Sequence, residues 1–153
     1  MLASCSTPAE LSTTSVEPAA PAPPPPPASI ALSLAASIAT MQLPSGYRLE
    51  PVLTEPDIAE PVMIAFDGNG RMYVAEMRTY MQDADATGEQ EPFSRVSRHE
   101  DTDGDGVFDK HTVFADKLLL PRILLPLDDR VIIGETNTND LYVYRDSNGD
   151  GVA

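Results

Sequence analysis

The sequence predicts an all-β fold, a partial β-propeller of about two four-stranded antiparallel blades. A disordered Pro-rich tether and a short helix are expected ahead of it. Three observations carry this. From Pro61 onward, apolar runs of strand length alternate with turn residues. No 3.6-residue periodicity occurs after residue 45. Two Asp/Gly loops, Asp101-Thr-Asp-Gly-Asp-Gly-Val-Phe-Asp109 and Asp146-Ser-Asn-Gly-Asp-Gly-Val-Ala153, recur with a period of about 45 residues, which suits a propeller blade.

The chain opens on an address and a tether (residues 1–29). Leu2-Ala-Ser-Cys5 matches a bacterial lipobox, which makes Cys5 the expected lipid attachment point and anchors the chain to a membrane. A lipoprotein signal also has a basic region and an apolar region upstream. Here no Lys or Arg precedes Arg48 and only four residues precede Cys5. Two readings stand: the start lies upstream of Met1, or the match is chance. Residues 6–29 are rich in Ser, Thr, Ala and Pro and end in the run Pro23 to Pro27. Such a segment is expected to bury too little apolar surface to offset its ordering entropy, and its proline run to form a stiff polyproline II spacer. Ile30 to Met41 are small and apolar. The run is shorter than the roughly 20 residues a membrane span needs, so a short helix over 30–43, docked on the domain, is expected.

The partial propeller occupies 44–153. Tyr47–Thr54 reads as an edge strand interrupted at Pro51. Blade one, about 61–116, starts with Pro61–Phe66, turns at Asp67-Gly-Asn-Gly70 and returns as Arg71–Glu76. Residues 79–94 are polar, with Gly88 and Pro92, and form a long loop. Arg95–Glu100 and Lys110–Ala115 flank the first Asp loop as the next hairpin. Blade two, about 121–153, repeats the plan as Arg122–Leu127, a turn at Asp128–Arg130, Val131–Glu135 and Leu141–Arg145. Its fourth strand would lie past Ala153. Asp67 to Asp101 spans 34 residues and Asp128 to Asp146 spans 18, so removing the 16-residue loop superimposes the two units. Blades need neighbours on both faces, so the chain is expected to be part of a longer protein.

Net charge is −14, from 24 acidic and 10 basic residues. No basic patch is available to neutralise phosphates, so nucleic acid is excluded as a partner. A single cysteine excludes an internal disulfide and a thiolate zinc site.

The Asp loops point to calcium, a hard cation that takes 6–8 oxygens. In the first loop Asp101, Asp103 and Asp105 supply carboxylates, Gly106 allows the turn, the Val107 carbonyl adds an oxygen and Asp109 closes the site. Four carboxylates in nine residues repel one another without an ion among them. Thr112 stands where an EF-hand has its closing Glu, and the flanks read as strands. This is therefore a calcium loop in a hairpin. The second loop offers Asp146, Asn148, Asp150 and the Val152 carbonyl, with its ninth position past Ala153. Such a ligand-saturated ion stabilises the fold and leaves no open position for substrate. His99 and His111 read as ordinary strand-surface residues. Arg122, Glu135, Asn137, Asn139 and Asp140 lie near strand ends of blade two, where a propeller mouth would be, and no catalytic set is assigned.

One family combines these runs. Leu43-Pro-Ser-Gly-Tyr-Arg-Leu-Glu-Pro-Val52, Glu60 through Arg78, and the Glu100–Lys110 loop resemble the N-terminal propeller of membrane-bound dehydrogenase-like proteins of planctomycetes and verrucomicrobia. Those propellers are related to the quinone-dependent glucose/sorbosone dehydrogenases, and the resemblance covers about residues 36–153. It implies a calcium-containing oxidoreductase of the bacterial envelope, lipid-anchored in the periplasm or at the cell surface. It further implies oxidation of a sugar or alcohol, with pyrroloquinoline quinone as cofactor. Electrons would pass to a c-type haem domain in downstream parts of the same protein, since this chain has no C-x-x-C-H. The alternative is a non-catalytic calcium-stabilised binding or adhesion module, or an inactive fragment.

Overall fold

The computed structural model describes residues 30–153. Cys5 and the tether lie outside them. The order is one helix, α1 (Leu34–Thr40), then seven strands: β1 (Pro61–Phe66), β2 (Met72–Glu76), β3 (Ser94–Glu100), β4 (Lys110–Leu118), β5 (Ile123–Pro126), β6 (Val131–Gly134) and β7 (Leu141–Tyr144). They form an all-β, propeller-like pair of antiparallel sheets. The first is four-stranded in the order β1-β2-β3-β4, the second three-stranded in the order β5-β6-β7. No helix among the described residues is long and apolar enough to cross a membrane.

Alternation explains the packing. β2 is buried along its whole length because both its faces are covered. Tyr73 and Ala75 point into the core between the sheets, with Val96, Phe114, Leu118, Leu124, Val131 and Ile133. Tyr73 and Phe114 meet there edge to face, centroids 5.2 Å apart. Met72 and Val74 point to the other face, where Ile58, Leu53 and Phe108 cover them. The β1–β2 turn is built by Asp67, whose Oδ1 accepts from the N–H groups of Asn69 (2.9 Å) and Arg71 (3.0 Å). Gly70 takes the left-handed conformation that closes the turn, φ 81°.

Three expectations need correction. Tyr47–Thr54 is not a strand. Pro51 has no N–H to give a ladder, and the segment pairs with no strand; it serves instead as a cover that places Leu53 over β2. The helix is shorter than 30–43, and none of its residues is buried, although Leu34 lines a cleft with Pro51, Leu53 and Phe108. Ser33 caps it, its Oγ accepting from the Ala36 N–H at 3.3 Å. The extra length of the first unit is not confined to one insertion. The β2–β3 connection runs over 77–93 and the β6–β7 connection over 135–140, and β2 and β3 are themselves longer than β6 and β7.

Candidate metal centre

The first Asp loop joins β3 to β4, and its shape comes from side chains accepting from the backbone just ahead of them. Asp101 accepts from the N–H groups of Gly104 (2.7 Å) and Gly106 (2.9 Å). Asp103 accepts from the Asp105 N–H at 3.2 Å, and Asp105 from the Val107 N–H at 2.8 Å. Gly104 and Gly106 have φ of 82° and 90°, where a Cβ is strained. The result is a convergence: Asp101, Asp103 and Asp105 each present a carboxylate oxygen, all within 4.8 Å of one another. The N–H groups of Gly106 and Gly104 hold the Asp101 carboxyl below the usual carboxylate range. Asp109 is not in the cluster. It faces back to Thr102, accepting from its N–H (3.1 Å) and its hydroxyl (2.7 Å). Each carboxylate oxygen has a second lone pair, so the three converged groups fit a hard, oxygen-seeking cation.

The second loop repeats this wiring 45 positions on. Asp146 accepts from Gly149 (2.7 Å) and Gly151 (2.8 Å), Asn148 from the Asp150 N–H (3.1 Å), and Asp150 from the Val152 N–H (2.8 Å). Gly149 and Gly151 have φ of 79° and 95°. The ligand set differs, however. Asn148 turns its amide N–H toward Asp150 Oδ2 at 2.9 Å. Asp146 is engaged by Arg98, whose Nη1 lies 3.1 Å from its Oδ2. No second acidic cluster of the kind at Asp101 occurs among the described residues.

Arg98 is the residue that sequence reasoning missed. It lies on β3, is 4 % exposed, and binds Glu100 through Nη2 at 2.7 Å as well as Asp146. Burial raises the Asp146 pKa, but the N–H groups of Gly151 and Gly149 together with Arg98 outweigh it and hold the carboxyl ionised. A Cβ on Gly151 would sit 3.1 Å from Thr112 and 3.2 Å from Arg98, so this loop rests directly on the first sheet. An arginine thus supplies positive charge to the second loop where the first loop has converged carboxylates.

Residues 33–153 match the family model of a domain of unknown function, DUF7133. The chain belongs to that family. Comparisons with curated proteins and with solved structures find no match for it.

Elsewhere in this DUF7133 domain the residues placed at a mouth serve as connectors. The Glu135 carboxylate accepts from the Leu119 N–H, and Arg122 Nε donates to the Glu135 carbonyl at 3.4 Å. Asn137 donates its amide to Gln90 of the long loop, and the Asp140 N–H donates to Thr138 Oγ1 at 3.0 Å. Asn139 is exposed. His111 is exposed, as the sequence suggested, but His99 is not a surface residue: it is 0 % exposed. Its Nδ1 lies 2.8 Å from His111 Nδ1, and its Nε2 lies 2.8 Å from Ser97 Oγ. β3 alternates polar residues on both faces, so the sequence carries no signal for which face is inside.

Proposed function

We propose that this chain is the calcium-stabilised propeller part of a bacterial envelope protein, with the ion held by Asp101, Asp103 and Asp105. The observation that carries the reading is the convergence of three carboxylates within 4.8 Å in a loop whose backbone is already turned for them. Mutual repulsion of those charges opposes the closed loop, and a divalent cation reverses the sign of that term. The ion's role is structural: it ties the β3–β4 hairpin and adds its binding free energy to folding. Val107 and Asp109 complete the shell through a carbonyl and through water, Cys5 is the lipid anchor, and the Arg98-linked second loop is the weaker site.

Melting curves of the full chain in calcium and in chelator test this. Calcium is expected to raise Tm, and Asp103→Asn with Asp105→Asn is expected to abolish the rise. An identical Tm in calcium and chelator for the unaltered chain overturns the reading.

The resemblance of residues 36–153 to dehydrogenase-like propellers supports a second, finer reading. In it the propeller belongs to a quinone-dependent sugar or alcohol oxidoreductase that passes electrons to a haem c domain. Sugar-dependent dye reduction by the chain joined to its natural downstream segments, with pyrroloquinoline quinone and calcium added, is the outcome that reading requires. Its absence favours the non-catalytic module.

A further inference from the structure

We infer that His99 and His111 form a two-imidazole site for a divalent transition-metal ion, separate from the acidic loop and independent of the calcium reading. The two residues are direct cross-strand partners on β3 and β4. Their Nδ1 atoms face each other at 2.8 Å. Behind its other nitrogen His99 has Ser97 Oγ, 2.8 Å from Nε2, whereas His111 Nε2 faces Asp57 Oδ2 at 3.9 Å, beyond direct hydrogen-bond reach. An accepting oxygen within hydrogen-bond reach holds a metal-binding histidine in the Nε2–H tautomer and orients its ring, as Ser97 is placed to do for His99. With both rings in that tautomer, two lone pairs point at one spot. A neutral pair relieves this by keeping one hydrogen on an Nδ1, and a metal ion relieves it by binding both nitrogens. The exchange moves that hydrogen to Nε2 and releases no net proton.

The surroundings suit an ion. The pair opens on a cleft of about 160 Å³ also lined by Asp57, Arg95, Ser97 and Thr112, with room for the waters that fill the remaining coordination positions. Arg95 adds no uncompensated charge, because the fully buried Glu76 binds it twice, at 2.8 and 2.9 Å. Spreading the two Nδ1 atoms by about half an ångström brings them to the separation two nitrogens take around a tetrahedral metal with ligand bonds of about 2.0–2.1 Å. His111 has the more exposed side chain of the two, 30 %, so it is the ring with room to shift. Imidazole nitrogen selects copper, nickel and zinc, whereas the oxygens of the Asp loop select calcium. The two sites therefore divide metals by ligand chemistry.

The test is a copper(II) titration of the full chain carrying Cys5→Ser, which removes its one thiol, followed by electron paramagnetic resonance. The first equivalent is expected to show splitting from two imidazole nitrogens. That signal should survive Asp103→Asn with Asp105→Asn and should be lost in His111→Ala. Ser97→Ala is expected to weaken binding about tenfold, as loss of a supporting oxygen does. Oxygen-only coordination in the first equivalent, or a nitrogen pattern unchanged in His111→Ala, overturns the inference. His111 is at the surface, so its variant is expected to fold; far-ultraviolet dichroism checks this, and the spectrum of the unaltered chain decides the question without it.

Discussion

On β3, Ser97, Arg98 and His99 are all buried, and each is held by a polar partner. Burying such groups costs several kcal/mol unless they are paired. Arg98 answers that cost with two carboxylates, one two residues away and one 48 away in sequence. Arg98→Met removes the cation and leaves Glu100 with Lys110 at 2.9 Å but Asp146 without its ion pair. The expected loss is about 3 kcal/mol in urea unfolding. Combining it with Asp146→Asn should recover part of that loss, and strict additivity of the two substitutions would count against the pair. None of this was legible beforehand, because a polar strand reads as solvent-facing until its distant partners are known. Asp67, by contrast, was legible: its partners are its own next residues.

Among the elements, what the sequence made readable was what local bonds decide. Both Asp loops follow from acceptors two, three and five residues apart, so a spacing in the chain became the same spacing in space. Ladder partners are set at long range, which is why the edge strand expected at Tyr47–Thr54 failed while β1 to β4 stood near their expected bounds. Gly134, at the end of β6, belongs to the second kind. A Cβ there would meet Ile123 Cβ and Cδ1 at 2.9 Å and Leu141 at 3.0 Å, one neighbour from each adjacent strand. β6 can lie so close to both only without a side chain at that position. Gly134→Ala is expected to destabilise by about 1–3 kcal/mol, as overpacking does. A change within about 0.5 kcal/mol, the range of a surface site, would mean the three strands are looser than described.

For the whole molecule, the buried imidazole sets a pH dependence. Burial, then His111 and Arg95, lower the His99 pKa to about 4 against the opposing pull of Glu76 and Asp57. The unfolded chain takes up that proton near pH 6.5. Between about 6.5 and 4 the unfolded state therefore binds more protons, and stability falls as pH falls, by up to about 1.4 kcal/mol per pH unit. Urea unfolding in chelator at pH 7 and pH 5 checks this, in a range where most carboxylates stay ionised. A flat profile would place His99 in contact with water. The second sheet has a different bearing on the molecule's behaviour. β7 has no neighbour on its outer side among the described residues, and Leu141, Tyr142 and Val143 are 55, 42 and 59 % exposed. Such an edge is a template for any strand that reaches it. With a net charge of −14, copies of the chain repel one another at low ionic strength. At 0.15 M salt that repulsion reaches only about 8 Å, so the chain's colloidal behaviour is set by a contest between sticky strand margins, β7 and the likewise apolar edge β1 among them, and a screened cloud of like charge.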